Sequence, residues 1–108
     1  MPLLYDFEVD SAQDLLEGLA VKMKRRRLEK GLSRGALSMM SGVPVPTIAK
    51  FEQKHSISLA GFVALAKALG YAKEMKALLD EPKFATMEEL DTINKNKNRK
   101  RGRNEFDK

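Results

Sequence analysis

Apolar positions along the chain fall into blocks, first alternating and then at helical spacing. Residues 3–9 alternate, with Leu3, Tyr5, Phe7 and Val9 set against Leu4, Asp6 and Glu8. A period of two predicts a short strand or extended arm, and a frayed terminus is the competing reading. A lone strand is not stable alone, so such an arm needs a partner, for instance a second copy. From Ser11 the spacing changes: Leu15, Leu16, Leu19, Ala20, Met23, Arg27 and Leu28 recur every three or four residues. Ser11 with Asp14 makes an imperfect capping box at the start of this helix, and Gly31 ends it. A second helix is expected over 34–41 and a third over 45–53. Ser58 opens a fourth that carries Leu59, Phe62, Val63, Leu65, Ala66 and Leu69 up to Gly70. A fifth over 72–79 is expected to turn Met75, Leu78 and Leu79 inward before Glu81-Pro82 breaks it. Thr86-Met-Glu-Glu89 is a capping box for a last helix through about Asn94. The expected fold is all-α, with an arm at 1–10, a helical domain at 11–81, and a linker, short helix and tail at 82–108.

The turn between the second and third helices carries the most information. Ser33 caps the second helix, Gly42 ends it, and Val43-Pro44 forces an extended connection. Pro46 falls in the first turn of the third helix, where a missing N–H costs little. Two short helices joined in this way read as a helix-turn-helix, a unit that offers its second helix to the DNA major groove. Thr47 and Lys50 lie one turn apart and are expected to share the DNA-facing side, with Ile48 and Phe51 opposite them in the core. Met23, Met40 and Met75 are expected in the core and Met39 on the surface. Lys54, His55, Ser56 and Ser58 form the turn into the fourth helix, whose N-terminal N–H groups suit a phosphate, with Lys54 and Ser58 its best supports. His55 reads as an exposed turn residue.

Charge sharpens this picture. The 108 residues carry a formal charge of +5, and the pI is about 9.6. The bases are clustered: Lys22, Lys24, Arg25, Arg26 and Arg27 in one segment, and Lys95, Lys97, Arg99, Lys100, Arg101 and Arg103 in another. Clustered positive charge suggests a polyanionic partner. The second cluster lies in a low-complexity stretch without apolar period, which is expected to be disordered alone. The chain has no Cys and a single His, so a thiolate metal site or disulfide is ruled out and a catalytic or metal role for His55 is not expected. No paired carboxylates, phosphate loop or nucleophile–base set is present. The reading is therefore a non-catalytic protein without cofactor or metal. The N-terminus lacks a basic signal region and no apolar run reaches membrane-spanning length, which fits a cytoplasmic location.

The pieces Arg27 before Gly31-Leu-Ser, Leu37-Ser-x-x-Ser-Gly-Val43, Thr47-Ile-x-x-Phe-Glu52 and Leu65-Ala-Lys-Ala-Leu-Gly70 stand in the order of the lambda-repressor-like, XRE-type helix-turn-helix family, which residues 19–79 resemble. Within it, His55-Ser-Ile-Ser-Leu59, the short fifth helix and the tail ending Arg99-Lys-Arg-Gly-Arg103 resemble HipB-type antitoxins. The resemblance implies a five-helix lambda-repressor-like domain and a prokaryotic, nucleoid-associated regulator, in this case a repressor. It implies a homodimer on a palindromic double-stranded DNA operator, with a HipA-like kinase toxin as a further partner. It also implies an ion pair between Arg27 and Glu52, which locks the third helix to the first, and a DNA contact from Arg34. The chain departs from the family in two places: Arg34 stands where Gln is common, and Pro44, Val45 and Pro46 stand where hydrogen-bonding residues are usual. Val45 suits a thymine methyl and Lys50 a guanine, so shape and phosphate register take a larger share of specificity. The expected DNA-binding set is thus Arg34, Val45, Pro46, Thr47, Lys50, Lys54 and Ser58. Three alternatives stay open: a solitary or phage-type regulator, an adaptor or coactivator that binds protein instead of specific DNA, and RNA binding through the basic tail.

Overall fold

A computed structural model describes residues 10–81, 83 and 85–99. The arm expected at residues 3–9, and Lys100, Arg101 and Arg103 of the tail, lie outside them. The described residues form six helices and no strand: α1 Ala12–Glu29, α2 Arg34–Ser41, α3 Val45–Lys54, α4 Leu59–Ala68, α5 Ala72–Ala77 and α6 Met87–Asn96. The chain divides into two compact units, one ending at Ala77 and the other beginning at Leu78.

In the first unit local chemistry sets most helix ends. Ser11 and Asp14 complete a reciprocal capping box: Asp14 N donates to Ser11 Oγ at 3.0 Å, and Ser11 N donates to the Asp14 carboxylate at 3.1 Å. Ser33 and Ser58 cap α2 and α4 by accepting from Ala36 N and Gly61 N. Gly42 ends α2 in the left-handed conformation at φ +80° and donates its N–H to the Ser38 carbonyl.

The core is built from Ala20 and Met23 of α1, Leu37 of α2, Val43 of the turn, Ile48 and Phe51 of α3, and Leu65, Ala66 and Leu69 around the end of α4. Phe51 is fully buried and meets Phe62 edge-on, with ring centroids 6.0 Å apart. α1 and α2 both pack against α3, and α4 bridges α2 and α5. Arg26 ties α1 to the end of α4: its Nε donates to the Leu69 carbonyl at 3.3 Å and its guanidinium lies over Tyr71.

Two expectations are corrected here. Met40 is exposed instead of buried. The covered face of α2 runs through Arg34, Leu37, Ser38 and Ser41, and the helical turn carries Met40 off it. The fifth helix stops at Ala77, two residues early, and Leu79 adopts a left-handed φ of +66°. The register that would turn Leu78 and Leu79 inward is lost, and both are exposed, whereas Met75 stays partly covered.

In the second unit, Thr86 Oγ1 accepts from Glu89 N at 3.1 Å, and the Glu89 carboxylate reaches back to Ala85 N instead of the cap residue's own N–H. α6 runs two residues past its expected end, so Lys95 is helical and Lys97 is its C-cap. Among the described residues no helix is long and apolar enough to cross a membrane.

Candidate nucleic-acid interface

The position of α3 is set by the turn before it. Val43 is buried and its N–H donates to Ser41 Oγ at 3.1 Å, which anchors the connection. Pro44 follows as the N-cap at φ −60°, ψ 146°, without a side-chain cap bond, and Pro46 sits in the first turn. The first N–H groups of a helix have no internal partner, so Pro46 costs α3 nothing there. The helix ends at His55, which adopts φ +62° and donates its N–H to the Phe51 carbonyl.

This placement divides α3 into two sides. Ile48 and Phe51 are fully buried. Pro46, Lys50 and Gln53 are exposed and follow one another at helical spacing along the opposite side. Val45 and Lys54 are also exposed and Thr47 is partly covered. Pro46, Thr47 and Lys50 line one wall of a shallow open groove, with Ser56, Ile57 and Ser58 on the other. The structure thus brings Thr47, Lys50, Pro46 and Ser58 together, while Val45 and Lys54 lie outside the groove. At Gly61 a Cβ would stand 3.0 Å from the Ile57 side chain, so a larger residue there would push on Ile57 of the groove. Gln53 was not among the residues singled out from the sequence, and Ser56 was named there only as part of the turn into α4. For Gln53 the signal was present: it falls three residues after Lys50.

Behind this surface lies a charged node. The Glu52 side chain is 3 % exposed, and its carboxylate accepts three hydrogen bonds. Arg27 Nε donates to Oε2 at 2.8 Å and Arg27 Nη2 to Oε1 at 3.0 Å, a two-pronged grip from α1. The remaining Arg27 amine donates to the Leu32 carbonyl at 2.9 Å, so each nitrogen of the buried guanidinium has an acceptor. Arg34 Nε, from the first residue of α2, donates to Oε1 at 3.0 Å. Arg34 is thus held at Nε while its side chain stays 31 % exposed. Burial alone would raise the Glu52 pKa, but the hydrogen bonds and charges of Arg27 and Arg34 outweigh it and hold the carboxyl below its ordinary value. One carboxylate joins three helices, and two arginines against one acid leave the node with a positive charge. Arg27 and Glu52 therefore fix where α3 stands, and the exposed side of α3 displays an ammonium, a hydroxyl, an amide and two apolar residues. Those groups suit base edges and phosphates.

Lys95, Lys97 and Arg99 lie in the second unit, at and after the end of α6, where Arg99 N donates to the Asn96 carbonyl. Among the described residues no group of three His, Cys, Asp or Glu is placed to hold a metal ion.

Residues 23–74 match the family described as Helix-turn-helix. The match runs from the second half of α1 into α5 and contains the groove and the charged node. Such a domain points in general to DNA binding and transcriptional regulation. The comparisons with curated proteins and with solved structures found no match.

Proposed function

We propose that the protein is a sequence-specific DNA-binding transcriptional regulator of the lambda-repressor-like, XRE type, acting as a repressor and binding a palindromic operator as a homodimer. The observation that carries this reading is the exposed side of α3, where Pro46, Thr47 and Lys50 share a groove with Ser58 above a core that buries Ile48 and Phe51. Lys50 and Thr47 reach base edges. Val45 and Pro46 make apolar contact in the groove, and Lys54 and Ser58 hold phosphates near the start of α4. Specificity without many hydrogen-bonding groups at the head of α3 leans on DNA shape. The test is selection of bound duplexes from a randomised pool: the reading expects an enriched motif with two-fold symmetry. A pool that stays random after repeated rounds contradicts it and favours the adaptor reading, in which the same domain binds protein.

The finer assignment is to a HipB-type antitoxin that pairs with a HipA-like kinase toxin. It is supported by the stretch His55–Leu59 and by the basic residues from Lys95 onward, including Arg99. In this assignment the protein performs no chemistry; it sequesters the toxin and represses its own operon. Co-expression with such a kinase and co-purification of the two checks it.

A further inference from the structure

A second pocket in the first unit shares no lining residue with the groove of α3. It is a cavity of about 160 Å³ where α1, α4 and α5 meet, walled by Leu19, Met23, Phe62, Ala66, Tyr71 and Met75. Lys22, exposed at its edge, is the charged residue of this lining. Apolar surface continues beyond the cavity toward the start of α1. Leu15 and Leu19 stand one turn apart on that helix and are 58 % and 41 % exposed. An apolar track open to water therefore leads from the first turns of α1 into the pocket, and an apolar occupant would remove that surface from water.

The chain carries a segment of matching chemistry next to this track. Residues 3–9, outside the described residues, set Leu3, Tyr5, Phe7 and Val9 against Leu4, Asp6 and Glu8, with two acids and no base. Asp10 follows them directly and precedes Ser11, the cap of α1. At about 1.5 Å of rise per residue, Leu19 and Lys22 stand roughly 14–18 Å along α1 from Asp10. An extended chain at about 3.3 Å per residue covers that distance in about four to six residues. Running back along α1, it comes level with the pocket around residues 4–6, in the middle of the apolar alternation. We infer that residues 3–9 strap back along α1 and fill this pocket of their own chain, Tyr5 and Phe7 against the cavity and Leu15–Leu19 track, Asp6 and Glu8 toward Lys22. The strap ties α1 to α4 and α5 and leaves the exposed side of α3 free. The same segment of a second copy has the same chemistry, but a short tether holds the chain's own segment beside the pocket at an effective concentration on the order of millimolar.

The test uses the full chain with isotope-labelled methionine methyls, followed by NMR. Met23 and Met75 line the pocket, whereas Met39 and Met40 stand exposed on α2 and serve as controls. Replacing both aromatic rings of the strap, Tyr5→Ser with Phe7→Ser, is expected to move the Met23 and Met75 methyl resonances and to leave those of Met39 and Met40 in place. The same pair of changes is expected to lower the melting temperature by several degrees, because burial of the rings is lost. Both effects should be independent of protein concentration. In a Leu19→Ser background, where the track is broken, the strap substitutions are expected to change the melting temperature much less, the non-additivity of groups in contact. Unmoved Met23 and Met75 resonances overturn the strap. So does a full loss of melting temperature that persists beside Leu19→Ser. Effects that fade on dilution give the pocket to the strap of a second copy and overturn its occupation by the chain's own.

Discussion

Glu52 shows how a single buried side chain can support the stability of a domain whose proposed binding surface it does not join. Its carboxylate is buried, and removing it would strand two guanidinium groups, one of them almost without access to water. Breaking a buried pair from one side costs about 3–5 kcal/mol, a large share of a small domain's stability. Glu52→Ala should therefore lower the melting temperature strongly while the folded fraction keeps much of its DNA affinity; an unchanged melt would contradict the node. The pH dependence follows from the same geometry. The folded carboxyl titrates below its ordinary value, so its contribution is complete above the unfolded pKa and is lost as pH falls through the folded one. Melts of the wild type should fall on the acid side of that ordinary value, and Glu52→Ala should show a shallower acid limb. His55 makes the opposite prediction. A left-handed backbone costs a residue with a Cβ roughly 1 kcal/mol or more, and His55 occupies one at φ +62°. His55→Gly should raise the melting temperature by a few degrees, read by calorimetry.

At the scale of helices, the turn between α2 and α3 sets how the exposed side of α3, the proposed binding face, is presented. Gly42 has open space where a Cβ would stand, but its φ is +80°, so Gly42→Ala should cost about 1–2 kcal/mol through backbone strain and not through a clash. A denaturant melt that matched wild type would refute that assignment. The starts of α1, α2, α4 and α6 were legible because a capping Ser or Thr precedes each, and the end of α2 because Gly42 follows it. The early end of α5 was not: Ala72–Leu79 has good helical pattern, and no Gly or Pro marks the break after Ala77. Met40 was misplaced for a related reason, since an apolar residue in a short helix does not say which side the neighbours cover. In the candidate site, Thr47 and Lys50 followed from spacing alone. The grip of Arg34 on Glu52 joins residues eighteen apart on different helices and depends on how α2 packs against α3, which no local pattern records.

For the whole molecule, the proposed function divides the work between a helical domain that reads bases and basic segments that supply charge. Truncation before Lys95 removes Lys95, Lys97, Arg99, Lys100, Arg101 and Arg103. If these neutralise phosphates, the salt slope should flatten by about 0.9 for each phosphate no longer neutralised, and affinity should fall on every sequence alike. If they serve a protein partner, operator affinity survives and the partner no longer binds. Base reading by the exposed side of α3 is the claim on which the proposed function stands. Its most direct test is a competition assay in which Lys50→Ala is compared with wild type on the selected operator and on random duplex. Removing a good base contact costs about 1–3 kcal/mol. The expected result is that this cost appears on the operator and largely disappears on random DNA, so that the specificity ratio collapses. Equal weakening on the two duplexes would contradict base reading by α3.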